Sequence, residues 1–192
     1  MVAKYASFAE LKQHEAQGRD FRVLQVDRPG SRAVVIAPHG GMIEAGTSEI
    51  AGLVAGGDHS LFCFEGLKPY GENRDLHITS HRFDHPDCVA LVARHEIVLS
   101  VHGCMGESQI FIGGLDKEFG ERLSRRIADA GFDAVADGHN YPGRHPFNIC
   151  NRGSLRRGAQ LEITYDLRMP SHRETLATCI RAAIMDVPGS PR

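Results

Sequence analysis

The sequence predicts an α/β layered fold with a largely parallel or mixed sheet. Three observations predict it. Strand-like apolar runs alternate with helix-like amphipathic runs along most of the chain, the pattern of layered α/β architectures. Two of the strand-like runs, "RAVVIAPH" and "IVLSVHG", are apolar almost throughout, as strands covered on both faces are. The length of 192 residues suffices for a sheet with helices on both faces, and no repeat, low-complexity tract or linker divides it, so residues 1–192 read as one domain.

In "SFAELKQHEAQ", Ser7 followed three residues later by Glu10 forms a capping-box pattern, which places a helix within the N-terminal segment 1–20. "FRVLQVD" and "RAVVIAPH" follow as strands, and the second ends on His39. "TSEIAGLVAGG" starts a helix at Thr47 or Ser48 and stops it with glycine; "HSLFCFEG" and the short "DLHITS" read as strands. "DHPDCVALVARHE" is a helix with Pro86 in its first turn, where proline is tolerated. "IVLSVHG" is a buried strand ending at His102, "QIFIGG" a short strand, and "DKEFGERLSRRIADAG" an amphipathic helix closed by Gly131. "FDAVAD" leads into a histidine- and glycine-rich loop. "AQLEITYDLR" reads as a long alternating strand carrying Glu162, and "SHRETLATCIRAAIMD" as a closing helix capped by Ser171 and Glu174. The tail 187–192 is expected to fray.

Charge and composition exclude several function classes. With 22 Lys and Arg against 24 Asp and Glu, the net charge of -2 provides no global field for nucleic acid or an anionic membrane. The apolar runs are strand-sized, far short of the roughly 20 residues that span a bilayer, and the N-terminus lacks the apolar core of a secretory signal. A cytoplasmic protein is the default expectation, released by lysis if its target lies outside the cell, and it is expected to act as a monomer. Five scattered cysteines without a CxxC pair read as reduced, mostly buried thiols.

Ligands of open α/β sheets gather at the carboxyl ends of strands. His39 and His102 end two apolar strands, each followed by glycine, and Glu44 lies five residues after His39. Two imidazoles and a carboxylate, with a fourth position left for water, make the donor set of a hydrolytic zinc site. The five-residue spacing requires a loop folded back, which Gly40 and Gly41 would permit. Water activated at such a site also needs a base that is not a ligand. Glu162 is the candidate, because Leu161 and Ile163 point the other way along an alternating strand. "NICNRGSLRRG" sets Arg152, Asn148 and Asn151 before that strand, and arginine suits carboxylate recognition. His81 and His85 have i, i+4 spacing, but Pro86 disfavours helical geometry at His85. His77 and His139 are left as residues lining the cleft.

The segments "IAPHGGMIEAGTSEIA", "FEGLKP", "NRDLHITSHRFDHP", "LSVHG" and "NICNRG" leading into "GAQLEI" resemble the motif series of the poly-gamma-glutamate hydrolase family of bacteriophages and bacteria. The resemblance runs from about residue 21 to residue 168. It implies a three-layer α/β/α sandwich around a mixed, mostly parallel twisted sheet, similar to zinc carboxypeptidases. It also implies zinc held by His39, Glu44 and His102, Glu162 as general base, and Arg152 with its neighbouring asparagines, Asn151 and Asn148, holding a substrate carboxylate. Glu49, in the same first motif, competes with Glu44 as the acidic ligand. The implied activity is hydrolysis of γ-glutamyl amide bonds in poly-γ-glutamate or a γ-glutamyl peptide. Two alternatives stand beside it: a deacylase of small N-acyl acidic amino acids, and a module that binds polyglutamate without cutting it.

Overall fold

In the computed structural model, which describes residues 4–186, strands and helices alternate. The order is α1 (Phe8–His14), β1 (Phe21–Val26), β2 (Ala33–Gly41), α2 (Thr47–Ala55), β3 (Ser60–Gly66), α3 (Pro86–Val92), β4 (Ile97–Cys104), β5 (Gln109–Gly114), α4 (Lys117–Asp129), β6 (Asp133–Val135), β7 (Ala159–Thr164) and α5 (Pro170–Met185). The seven strands form one sheet in the order β1-β3-β2-β4-β7-β5-β6. Neighbours pair in parallel except β1 with β3 and β5 with β7. The sheet is therefore mixed and mostly parallel. Among the described residues no helix is long and apolar enough to cross a membrane.

Strand alternation sends successive side chains into two separate cores. Val35, Ala37, Leu99, Val101, Leu161 and Ile163 meet α2, α4 and α5 on one face. Val34, Ile36, Phe62, Phe64 and Val98 meet α1, α3 and residues 76–83 on the other. Helical layers thus cover both faces. On the second face the apolar series gives way to Ser100 and His102 along β4, and to Gln160 and Glu162 along β7, whose neighbours Leu99, Val101, Ala159, Leu161 and Ile163 belong to the first core. A polar floor is left there.

The position of that floor follows from topology. β3 lies on one side of β2 and β4 on the other, so the strand order reverses at β2 and opens a crevice at its carboxyl end. Pairing of β2 with β4 runs only from Ala33–Ile97 to Ile36–Ser100. Beyond it β2 follows β3 through a register shift between Ala37 and Gly40, while β4 continues beside β7. His39 and His102 project where the two strands part.

Several elements differ from the sequence expectation. "DLHITS" forms no strand: a 3-10 turn over Asn73–Leu76 ends in a bond from the His77 N–H to the Arg74 carbonyl, and Leu76 and Ile78 then plug the second core. β7 stops at Thr164, because Tyr165 turns helical and a 3-10 turn over Asp166–Arg168 follows. Ser171 does not cap α5, which starts at Pro170 after Met169 with no side-chain cap. In α1, Ser7 Oγ accepts from the Glu10 N–H as expected, whereas Glu10 reaches back to the Ala6 N–H. The predicted frayed tail at 187–192 lies outside the described residues.

Candidate active site

The loop after β2 is built to return a carboxylate. Gly40 and Gly41 remain paired with Glu65 and Gly66 of β3, and a Cβ at Gly41, whose φ is +60°, would lie 2.6 Å from the Gly66 carbonyl oxygen. The two glycines therefore serve close approach to β3 as much as the turn expected of them. The reversal is closed by a 2.9 Å bond from the Glu44 N–H to the His39 carbonyl and by Thr47 Oγ1, which donates to the Glu44 carbonyl at 2.8 Å. Glu44 is thereby brought back onto His39.

Each side chain is held from behind. His39 Nε2 donates to the Ile78 carbonyl at 2.7 Å. A carbonyl can only accept, so Nε2 carries a proton, and Nδ1 is the atom whose lone pair is freed for a cation when the ring is neutral. His102 Nε2 is engaged by Ser100 Oγ at 2.7 Å, with Ser80 Oγ 3.4 Å away, and its Nδ1 likewise turns inward. Glu44 Oε2 accepts from the Gly103 N–H at 2.8 Å. Outer partners of this kind orient metal ligands.

The inward atoms converge. His39 Nδ1 lies 3.1 Å from Glu44 Oε1 and 3.1 Å from His102 Nδ1, which is 3.8 Å from Glu44 Oε2. Donors about 2.0–2.1 Å from a tetrahedral zinc ion are roughly 3.3 Å apart. Facing one another at such distances, two ring nitrogens and a carboxylate need a proton on His39 Nδ1 or a cation among them, and the donor set fits zinc. His77, expected only to line the cleft, joins the group: its Nε2 is 3.6 Å from Glu44 Oε1 and its ring centroid lies 3.9 Å from that of His39, tilted by 31°. Donor atoms of His39, Glu44 and His77 lie within 4.8 Å of one another. No periodic spacing links His77 to the strand ends; the turn at Asn73–Leu76 delivers it.

Electrostatics separate the two carboxylates. Burial alone would raise Glu44, but the charge and hydrogen bond of His39, with help from His77 and His102, hold it far below the ordinary carboxylate range. Glu162 goes the other way, raised well above that range by burial and then by the Glu44 charge. Burial pushes His102 down, aided by His39, so it stays neutral and free to donate a lone pair. Glu162 pairs with His102 in the β4–β7 register, on the same face of the sheet. Its Oε1 accepts from Gln160 Nε2 at 3.3 Å, and Gln160 Oε1 accepts from Asn148 Nδ2 at 2.8 Å.

Other candidates lie outside this cluster or brace it. Glu49 is exposed on α2, 3.7 Å from Arg173 Nη1, and does not face His39. Asn148 and Asn151 are buried. Asn151 spends its side-chain amide on the carbonyls of Gly143 and His145 and on the Leu115 N–H, so both asparagines hold the loop rather than offering free groups to a ligand. Arg152 is half-buried on the 3-10 turn Ile149–Arg152, with Nη1 3.4 Å from the Phe83 carbonyl. His85 packs among Phe8, Phe62 and Phe64, while the His81 ring lies tilted against that of His145, centroids 5.0 Å apart; the pair diverges, as Pro86 suggests. All five cysteines are free and buried, and burial with the nearby Glu162 pushes Cys104 up to about 12. That thiol is no nucleophile at neutral pH.

The family model for poly-gamma-glutamate hydrolase matches residues 5–178. A bacteriophage poly-gamma-glutamate hydrolase superposes with a TM-score of 0.91 at 27% identity, over 96% of this chain and 98% of that one. Zinc-free YndL superposes with a TM-score of 0.89 at 32% identity, over 96% and 98%. The SPbeta prophage-derived protein YoqZ of Bacillus subtilis is 36% identical over 86% of this chain. The chain spans 60% of the length of YoqZ and 65% of that of Bacillus subtilis YndL. A Burkholderia mallei structure provisionally named a carboxypeptidase, at 14% identity and a TM-score of 0.50 over 88% of this chain and 61% of that one, shares the fold alone.

Proposed function

The chain belongs to the poly-gamma-glutamate hydrolase family, and on that premise we propose that it is a zinc-dependent hydrolase of γ-glutamyl amide bonds. The observation that carries the zinc reading is the convergence of His39 Nδ1, His102 Nδ1 and the Glu44 carboxylate within 3.1–3.8 Å, each fixed by a bond on its far side. These three side chains would hold the ion, with His77 flanking Glu44. When bound, zinc supplies Lewis-acid polarisation of a carbonyl oxygen and acidification of water.

Glu162 does the proton work. A carboxyl whose proton affinity is raised by burial and by Glu44 accepts a proton near neutral pH far better than an exposed one. Glu162 takes the proton of the attacking water and returns it to the nitrogen of the leaving amine. The Gln160–Asn148 relay keeps its carboxyl in place. Arg152, on the loop that walls the same face, is the proposed carboxylate-binding residue, since a guanidinium matches a carboxylate through two parallel bonds. The layers on both faces of one sheet support a single hydrolase domain.

Metal analysis combined with product analysis tests this. The purified protein should hold one zinc and release new amine ends from poly-γ-glutamate, none from α-linked polyglutamate, and lose both metal and turnover on chelation. Turnover of small N-acyl acidic amino acids alone would favour the deacylase reading. Binding of the polymer without new ends would favour the non-catalytic module.

A further inference from the structure

Arg168 is the one arginine or lysine among the described residues that is buried, at 6% exposure. A buried guanidinium is costly unless its donors are used, and these donors go to particular places. Nε donates to the Ile163 carbonyl at 3.0 Å and Nη1 to the Ala45 carbonyl. The guanidinium lies against Gly103, where a Cβ would come 2.5 Å from Cζ and 2.7 Å from Nη1. A Cβ at Gly46 would come 2.7 Å from the Arg168 carbonyl oxygen. Gly103 and Ile163 are register partners in β4 and β7.

Ile163 follows Glu162, Ala45 follows Glu44, and Gly103 follows His102. One side chain therefore touches the residue immediately after each of three site residues, from the opposite face of the sheet. We propose that Arg168 is a positioning residue that sets the mutual placement of Glu44, His102 and Glu162 by tying the Glu44 loop to β7 across Gly103. The proposal rests on the reading that Glu44 and His102 hold zinc. Lysine could keep the charge, but its single nitrogen cannot stand in for the separate Nε and Nη1 that reach two different carbonyls, and the Arg173 Nε bond to the Arg168 carbonyl at 2.7 Å holds the backbone in either case.

The test is zinc affinity, read by chelator competition on the full chain. Arg168→Lys should raise the zinc dissociation constant about 10–100-fold, the usual effect of losing an outer partner. Gly103→Ala, which leaves Arg168 in the chain but drives a methyl against its guanidinium, should do the same, and it decides the matter if Arg168→Lys does not fold. Arg181→Lys serves as control: Arg181 Nη1 binds the carbonyls of Val54 and Ala55 at 2.8 and 3.0 Å, so its loss should lower the melting temperature and leave zinc affinity unchanged. A merely structural Arg168 would behave like Arg181. Folded Arg168→Lys or Gly103→Ala protein that binds zinc within about threefold of wild type overturns the proposal. Wild-type protein that binds no zinc overturns the zinc reading itself, and the proposal with it.

Discussion

Replacing Glu162 with glutamine removes one proton acceptor and little else. Glutamine keeps the shape of the side chain, and its amide oxygen can still accept from Gln160 Nε2, now 3.3 Å from Oε1. A positioned general base is worth about 10²–10⁴ in rate, or about 3–5 kcal/mol of barrier. Turnover of poly-γ-glutamate, followed by release of amine ends, should fall by that factor while zinc content stays at one per chain. A second readout uses metal-free protein. The folded-state pKa of Glu162 is raised above its ordinary value by burial and by Glu44, so the native state binds this proton more tightly than the unfolded chain does. The ionised carboxylate therefore costs stability, by linkage. That cost is absent below the ordinary carboxylate pKa of about 4.3 and grows as pH rises from there toward the folded value. Glutamine never ionises, so the variant should match wild type in melting temperature at pH 4 and exceed it increasingly toward neutral pH. Near wild-type turnover with zinc bound would refute the assignment of the base, and a melting difference independent of pH would refute the electrostatic account.

His77→Ala and His102→Ala separate two candidates for the third ligand: zinc content should fall well below one per chain for His102→Ala and stay near one for His77→Ala, and the reverse pattern would move the ligand to His77. Glu49→Ala removes only an exposed 3.7 Å ion pair with Arg173, so stability should change by less than about 1 kcal/mol in urea unfolding, with zinc content unaltered. Phe62 is fully buried between the rings of Phe83 and His85. Its replacement by alanine should cost about 3–5 kcal/mol in the same assay and leave the zinc affinity of the folded protein intact.

Much of the architecture is legible locally. The apolar runs ending at His39 and His102 specify buried parallel strands because only residues covered on both faces can dispense with alternation. The pattern "QLEIT" commits Glu162 to the face opposite Leu161 and Ile163, since strand side chains alternate whatever the sheet does. Where local signals compete, sequence reading fails in recognisable ways. "DLHITS" has strand composition, yet it packs on a face of the sheet rather than joining an edge, and Leu76 and Ile78 insert into the core from a turn. Ser171 has a good capping residue's chemistry, but Pro170 already starts the helix.

What the sequence by itself determined is which residues have metal-binding and proton-accepting chemistry and on which strand face they sit, because propensity, alternation and glycine chemistry act over a few residues. The tertiary structure alone decided which of them meet. Glu44 rather than Glu49 faces His39, since the return of the loop depends on the Glu44 N–H donating to the His39 carbonyl and on the Glu44 carboxylate accepting from the Gly103 N–H, 59 positions along the chain. His77 joins the cluster, Asn148 and Asn151 turn inward to hold a loop, and Arg168 comes to lie behind all three site strands and loops. These are contacts between segments far apart in sequence, and no short-range pattern encodes a distance that only the assembled sheet brings about.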